Sequence, residues 1–422
     1  MSTTDTNLSR AQMEDLLQSG EILPVFQPII SSETYKVYGY EVLGRVDKET
    51  GDLQSLGPFF LWKPKSEEDR IYHLKRKREI NALIKEKAFQ QFAGLKQDVK
   101  LFINVSPSSM KDHIENRSNS TPGTIELVRK YGIDPSKIVV EITEEILDKT
   151  NPETLRPLID MYRKEGFQIA VDDLGSEASN LDRVGLYHPD IIKVDLQLLR
   201  RSIYSRNFQE ILYTLSKLGE SIGSSILFEG VEKESELHKA IESGARFFQG
   251  YYFHKPEKKF IDPDLLKVPL RNSFLSFHTQ KIGKIEKYVY WEKRLKEQLS
   301  NLEFSIKTKN DIWEVDPKTL SDFKKYFFRL YITDGEGFQV SPNYQVTPEM
   351  HVSIDKTQIG KNWAWRPYFY EHILQSKVSD STWVVSDVYQ DVSENMMLRT
   401  VSRVLGGGLI LFLDIIAEPF ML

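Results

Sequence analysis

Phe167 to Asp195 reads FQIAVDDLGSEASNLDRVGLYHPDIIKVD. It contains two apolar runs of strand length, FQIAVDD from Phe167 and DIIKVDL from Asp190. Both carry β-branched residues and are apolar on nearly every interior position, as strands of a parallel sheet covered on both faces are. The first run closes on Asp172 and Asp173, the second on Lys193 and Asp195. Charge enters only where a strand ends.

The same design recurs on either side: PVFQPII from Pro24, YKVYGYEVLGRV from Tyr35, VKLFINVS from Val99, KIVVEIT from Lys137, SSILFEG from Ser224 and ARFFQGYYF from Ala245. Between the runs lie stretches with helical spacing, among them 79–92, 152–164, 208–222 and 234–244. Strand–helix alternation sustained over about 250 residues predicts an α/β fold, a TIM-like (β/α)8 barrel. A doubly wound open sheet is the alternative, and no Gly-x-Gly-x-x-Gly turn follows the first strand to support it.

The chain has 422 residues, no cysteine, a net charge of −5, 40% hydrophobic and 28% charged residues. That balance is globular, and the absence of cysteine excludes disulfides, thiolate metal sites and a cysteine nucleophile. A mildly acidic chain does not read as a binder of polymeric nucleic acid. The N-terminal MSTTDTNLSRAQMEDLLQSG lacks the apolar core of a signal peptide, and no run approaches the ~20 apolar residues of a membrane span. A cytoplasmic protein without a membrane span is expected.

The remaining chain reads differently. Leu265 to Leu302 carries Ile285, Tyr288, Leu295, Leu299 and Leu302 at helical spacing among charged residues, which predicts one long helix packed on a domain or on its own copy. From Glu303 onward come FFRLYITD, a turn at Asp334-Gly335-Glu336-Gly337, the aromatic NWAWRPYFYEHI from Asn362, STWVVSDVYQD from Ser381 and LILFLDII from Leu409. These predict a small α+β domain. The expected layout is therefore a barrel with a short N-terminal extension over 1–260, a connecting helix over 261–302 and a second domain over 303–422.

The strand ends carry the chemistry. They bear Glu41, Asn104, Glu141 with Glu144, Asp172 with Asp173, Lys193 with Asp195, Glu229 and Gln249. In a parallel barrel these ends converge on one face. Carboxylates gathered there repel unless cations intervene, and oxygen ligands without cysteine or clustered histidine suit Mg²⁺, Mn²⁺ or Ca²⁺. A carboxylate bridging two ions ~3.5–4 Å apart is the arrangement of phosphoester hydrolysis, and the Asp172-Asp173 pair can supply it. Any one of these acids can equally be a helix cap, but caps do not explain seven consecutive strand ends. Lys193 among acids is either a structural ion pair or a group that positions or deprotonates water. The basic stretch Lys75-Arg76-Lys77-Arg78 is interleaved with acids and reads as a solvated helix face. His188, His238, His254 and His278 stand alone and are assigned no ligand role.

With these residues in place, the stretch from about residue 20 to residue 256 resembles the EAL-domain cyclic-di-GMP phosphodiesterases. The motifs are Glu41-Val42-Leu43 with Arg45, Gln27-Pro28-Ile29, Asn104-Val105-Ser106, Glu141-Ile142-Thr143-Glu144, Asp172-Asp173-Leu174-Gly175, Lys193-Val194-Asp195, Glu229-Gly230-Val231-Glu232 and Gln249-Gly250-Tyr251, in family order. The resemblance implies hydrolysis of cyclic di-GMP to linear pGpG with two Mg²⁺ or Mn²⁺ ions, Ca²⁺ being an inhibitory occupant, in a homodimer. It implies that Glu41, Asn104, Glu141, Asp172, Asp173 and Glu229 hold the metals and that Lys193 positions and activates water. Gln249 then supports the site, Glu144 anchors the loop after Asp173, and Gln27, Leu43, Arg45 and Asp195 meet the dinucleotide. One departure matters: the family's second loop glycine is Glu177 here, within Ser176 to Asn180, where a conformation open to glycine is strained. Altered turnover with retained binding, and so a receptor signalling to a protein partner, is the alternative reading.

The C-terminal segment resembles PAS-like and Cache-type sensor domains. Trp363, Trp365, Arg366, Tyr368 and Phe369, followed by Ser386, Asp387 and Tyr389, are read in two ways. They form a sensor site at Trp365, Arg366 and Asp387 for a small ligand or a protein, or a satisfied aromatic core with Arg366 paired to Asp387. Nothing there suggests haem or flavin.

Overall fold

The computed structural model describes residues 9–105, 122–142, 153, 155–174, 181–366, 369–370, 373–374, 383–391 and 394–417; of 173, 174, 181 and 182 it describes the backbone alone. Contacts divide the chain into two units, Met1–Ser276 and Phe277–Leu422. Among the described residues no helix is long and apolar enough to cross a membrane.

The first unit contains β1 (Gly20–Ser31), β2 (Val37–Lys48), β3 (Leu53–Ser55), β4 (Lys100–Val105), β5 (Ile138–Ile142), β6 (Gln168–Leu174), β7 (Ile191–Val194), β8 (Ser225–Phe228) and β9 (Phe247–Gln249). Their order is β1-β9-β8-β7-β6-β5-β4-β2-β3, and a β1–β2 pairing closes the barrel with β3 left outside on β2. Helices such as Glu67–Ala93, Arg156–Lys164, Arg206–Ile222 and Glu234–Glu242 alternate with the strands.

The barrel is not wholly parallel. PVFQPII lies in β1, which runs antiparallel to both β2 and β9, while β2 and β4 to β9 are joined by parallel ladders. The reason is the connection. Only a tight turn separates β1 from β2, fastened by Tyr35 N donating to Ser31 O at 2.9 Å and Ser31 N donating to Lys36 O at 3.0 Å. A turn that short returns the chain antiparallel, whereas a parallel return needs a crossover.

Alternation along each strand builds two inward layers. Ile29, Phe102, Val139, Ala170, Ile191, Leu227 and Phe247 form an apolar floor, all at most 2% exposed. Two residues nearer the mouth on the same strands stand Gln27, Asn104, Glu141, Asp172, Lys193, Glu229 and Gln249. On β2 the floor position is Gly39, where a Cβ would lie 2.7 Å from Lys100 O and 2.8 Å from Phe102 Cε2, so Phe102 fills that place. The floor excludes water from below, and the polar layer faces the mouth.

The long helix spans Lys267–Ser300. The second unit adds the hairpin of β10 (Ile306–Lys309) and β11 (Ile312–Val315), and a helix Pro317–Phe323 capped by Asp316, which accepts from Lys318 N at 2.9 Å. Its main sheet comprises β12 (Arg329–Thr333), β13 (Asn343–Val346), β14 (Val352–Asp355), β15 (Val384–Val385), β16 (Tyr389–Gln390), β17 (Met397–Val404) and β18 (Ile410–Ile416). The order is β14-β13-β12-β18-β17-β15 with β16 on β17, all antiparallel, which gives the expected α+β unit. Leu411 and Leu413 of β18 pack with Leu295, Leu299 and Phe323, and the alternate residues Ile410 and Phe412 pack with Tyr331 and Phe369 on the opposite face.

Candidate active site

Lys193 is the centre of the polar layer. Its Nζ lies 2.5 Å from Glu229 Oε1, 2.9 Å from Glu141 Oε1, 3.3 Å from Asp172 Oδ1 and 3.8 Å from Glu41 Oε2. The lysine side chain is 1% exposed and that of Glu141 is 0%, whereas Asp172 and Glu229 reach the mouth at 15% and 25%. Ladder register dictates the convergence: Asn104 stands opposite Glu141, and Glu41 opposite both Gln27 and Phe102.

Two amides hold Glu41. Asn104 Nδ2 donates to its Oε1 at 3.1 Å and Gln249 Nε2 to its Oε2 at 2.7 Å. Burial lowers the Lys193 ammonium, but the carboxylates of Asp172, Glu141, Glu229 and Glu41 overcome it and leave the group well above its ordinary value. Burial lifts the carboxyls of Glu141 and Glu229 well above theirs, against the pull of Lys193. One ammonium thus faces four carboxylates. Glu141 Oε2 and Gln249 Oε1 are buried without a hydrogen-bond partner, an unusual expense for buried acceptors.

Among the described residues no group of three or more His, Cys, Asp or Glu is arranged to hold an ion by itself; the carboxylates converge on Lys193. The donor set still fits divalent cations. It is all oxygen, its negative charge exceeds its positive charge, and it keeps buried acceptors without a hydrogen-bond partner. Glu144 and the loop with Glu177 lie outside the described residues, as does the side chain of Asp173.

The other expected residues fall in three places. Gln27, Leu43 and Arg45 lie on the paired β1 and β2, with Arg45 half-buried and donating from Nη1 to Gly44 O at 2.8 Å. Asp195, expected at the dinucleotide, accepts from Gln197 N at 2.5 Å and caps the helix Leu196–Tyr204. Such a cap satisfies a free backbone donor at the helix start. In the second unit the Arg366 guanidinium carbon lies 4.6 Å from the ring centroid of Trp365, the expected pair with Asp387 is not formed, and Asp387 is exposed.

Sequence reading passed over two supports of the rim. Glu236, 2% exposed, accepts from Glu232 N at 2.8 Å, Lys233 N at 3.2 Å and Arg200 Nε at 2.7 Å, fixing the segment after Glu229. The signal was its place three residues into a helix, where a capping box puts an acid. Gly250 is the second. A Cβ there would lie 2.1 Å from Val231 O and 2.3 Å from Val231 N, so glycine alone lets the ends of β8 and β9 meet.

Comparison with known proteins divides the chain earlier than the two contact units do, between residues 256 and 260. Residues 8–256 match the EAL domain model, and residues 260–421 match that of an EAL-domain associated signalling protein domain. The chain is 33% identical over 411 residues to YkuI of Bacillus subtilis (strain 168), an uncharacterized EAL-domain containing protein, covering 96% of each. A crystal structure of YkuI, in complex with cyclic di-GMP and calcium, superimposes with a TM-score of 0.81 at 32% identity over 96% of this chain and 99% of that one. The probable cyclic di-GMP phosphodiesterase PdeI of Escherichia coli (strain K12) is 30% identical over 243 residues, 57% of this chain and 29% of its own length. A floor and a ring of strand-end carboxylates laid out in one order, matched over the whole barrel, leave a single assignment: the chain belongs to the EAL-domain family.

Proposed function

We propose that the barrel hydrolyses one phosphodiester bond of cyclic di-GMP, giving linear pGpG, and that the C-terminal unit adjusts this output. The observation that carries the reading is the convergence of Glu41, Glu141, Asp172 and Glu229 on Lys193 within 3.8 Å above an apolar floor. The YkuI complex with cyclic di-GMP and calcium supports both the ligand and a divalent ion.

Glu41, Asn104, Glu141, Asp172, Asp173 and Glu229 would hold Mg²⁺ or Mn²⁺, with Ca²⁺ as a non-productive occupant. Bound there, the ions supply Lewis acidity at the phosphate and lower the pKa of water. The chain's own residues set the geometry. Lys193, kept protonated by its carboxylates, donates and positions; it offsets charge that develops as the water oxygen bonds to phosphorus and the P–O3′ bond breaks. The attacking water gives up one proton and the leaving 3′-oxygen takes one up, and the phosphate stays on the 5′ side. Gln249 orients Glu41 through its amide. Arg45 offers its fork of donors to a phosphate oxygen beside Gln27 and Leu43, and Glu144 anchors the loop after Asp173. The reading includes a homodimer, checked by sedimentation.

Purified protein incubated with cyclic di-GMP and Mn²⁺ or Mg²⁺ is expected to form pGpG on a chromatogram, and Glu41→Ala to form none. Ligand binding without product above that control would replace the enzyme with the receptor reading, which rests on Glu177.

A further inference from the structure

The long helix Lys267–Ser300 begins in the first unit, which ends at Ser276, and continues into the second. Its first two turns lie on the barrel. Leu270, 3% exposed, belongs to the barrel's core, and the ring centroid of Phe274 lies 4.8 Å from that of Tyr35 and 6.0 Å from that of Phe248. Between these apolar contacts stands Ser273, 8% exposed. Its Oγ donates to Glu234 Oε1 at 2.9 Å and meets the Tyr252 hydroxyl at 3.1 Å, and its carbonyl oxygen lies 3.2 Å from His238 Nε2. A serine hydroxyl has one proton; given to Glu234, it leaves Oγ to accept from Tyr252. Apolar burial seats the helix, and the hydroxyl adds direction to that seat.

The partners of Ser273 sit on the two segments that leave the site. Glu234 starts the helix that follows Glu229 at the end of β8, and Tyr252 follows Gln249 at the end of β9. Backbone bonds lace the segments together: Val231 N donates to Gln249 O at 2.9 Å, and Tyr252 N donates to Val231 O at 2.9 Å. At one end of this laced piece Glu229 lies 2.5 Å from Lys193, and Gln249 donates to Glu41 at 2.7 Å. At the other end a single oxygen, Ser273 Oγ, holds both segments.

We propose that Ser273 is a positioning residue for the phosphodiester chemistry, keeping the Glu229 and Gln249 segments in register with each other and with the long helix. The inference rests on the phosphodiesterase reading and names where the helix that runs on into the second unit grips that site. Gln27, Leu43 and Arg45, offered to the dinucleotide, lie on β1 and β2 outside the laced piece. Loss of the Ser273 hydroxyl therefore acts on the chemical step and the metal ligands and leaves dinucleotide binding in place.

Ser273→Ala removes only the hydroxyl and puts a strong helix former in the helix. Its kcat for pGpG formation in Mn²⁺ is expected to fall about ten-fold, as a small misplacement of reacting groups does, with KM within about two-fold of the parent's. Mn²⁺ titrated by calorimetry, which needs no turnover, should bind several-fold more weakly, because Glu229 is among the groups that would hold it. Tyr252→Phe keeps the ring and loses only its hydroxyl, so it carries the test where Ser273→Ala does not fold. The double variant is expected to be no worse than Ser273→Ala, since both changes break one contact. Parent-like kcat and Mn²⁺ affinity in folded Ser273→Ala or Tyr252→Phe, a loss confined to KM or to thermal stability, or a parent that takes up no Mn²⁺ overturns the inference. A parent that takes up Mn²⁺ but forms no pGpG sinks the phosphodiesterase alone; weaker Mn²⁺ binding by the variants then still supports Ser273, and unchanged binding overturns it.

Discussion

Lys193 Nζ lies 2.9 Å from Glu141 Oε1, a pair in which neither side chain meets solvent. Burying two charges is tolerable only while both are present, because removal of one leaves the other uncompensated. Here the lysine also separates Glu141 from Asp172, Glu229 and Glu41.

Lys193→Met is therefore expected to destabilise the metal-stripped protein by about 3–5 kcal/mol. Divalent cations should restore more stability to the variant than to the parent, since they replace the missing charge. Cyclic di-GMP affinity in the presence of Mn²⁺ should persist while pGpG formation is lost. Urea unfolding in EDTA and in Mn²⁺, with a binding isotherm, checks all three; unchanged stability in EDTA would show the pair to be dispensable.

Glu229→Gln should behave in the opposite way. It removes one negative charge from a crowded site whose burial already lifts that carboxyl, while keeping an acceptor for Lys193. Stability in EDTA is expected to hold or rise by about 0.5–1 kcal/mol, as relief of like-charge strain does at functional sites. Turnover should fall by at least about 100-fold, the usual scale for a lost group in charge stabilisation. A coupled loss of stability and turnover would mark Glu229 as structural.

Gly250→Ala tests the rim. The added Cβ meets Val231 backbone at 2.1 Å, and the Val231 N to Gln249 O bond of 2.9 Å holds the side chain that donates to Glu41. Backbone cannot yield as a flexible side chain can, so a cost of about 2–4 kcal/mol is expected. Gly283→Ala, within the long helix and with open space around it, should instead stabilise by about 0.5–1 kcal/mol through helix propensity. Thermal unfolding of the two variants in parallel separates the steric effect from the generic one.

The strand ends made the site legible because a strand's two-residue period is simple. Val139 and Glu141, or Ile191 and Lys193, are a floor residue and a chemical residue on one face, and a run that is apolar until its last inward position shows where the mouth lies. Direction was not legible: PVFQPII is equally apolar read either way, and only the short turn before Val37 makes β1 antiparallel. Asp195 and Glu236 show the limit of residue type. An acid at a strand end and an acid inside a helix differ in function by which backbone donors lie within 3 Å or so, and that distance belongs to the folded loop.

Lys85 gives the pH-dependent case. Its side chain lines a cavity of about 580 Å³ with Leu127, Leu158 and Tyr162, and burial pushes its amine down from 10.5 to about 8. In the unfolded chain the amine returns to its ordinary value, so between pH 8 and 10.5 the unfolded chain binds more protons and stability from this group rises with pH. Below pH 8 both states are protonated and the full cost of burying the charge is present. Half-burial leaves water within reach, so the full shift is discounted to about 1–2 kcal/mol. Lys85→Met is then expected to stabilise the protein by that amount at pH 7, with the advantage fading towards pH 10.5. Urea midpoints of parent and variant at pH 7, 8.5 and 10 measure it. A constant difference across the series would show that the gain comes from apolar packing and not from the buried ammonium.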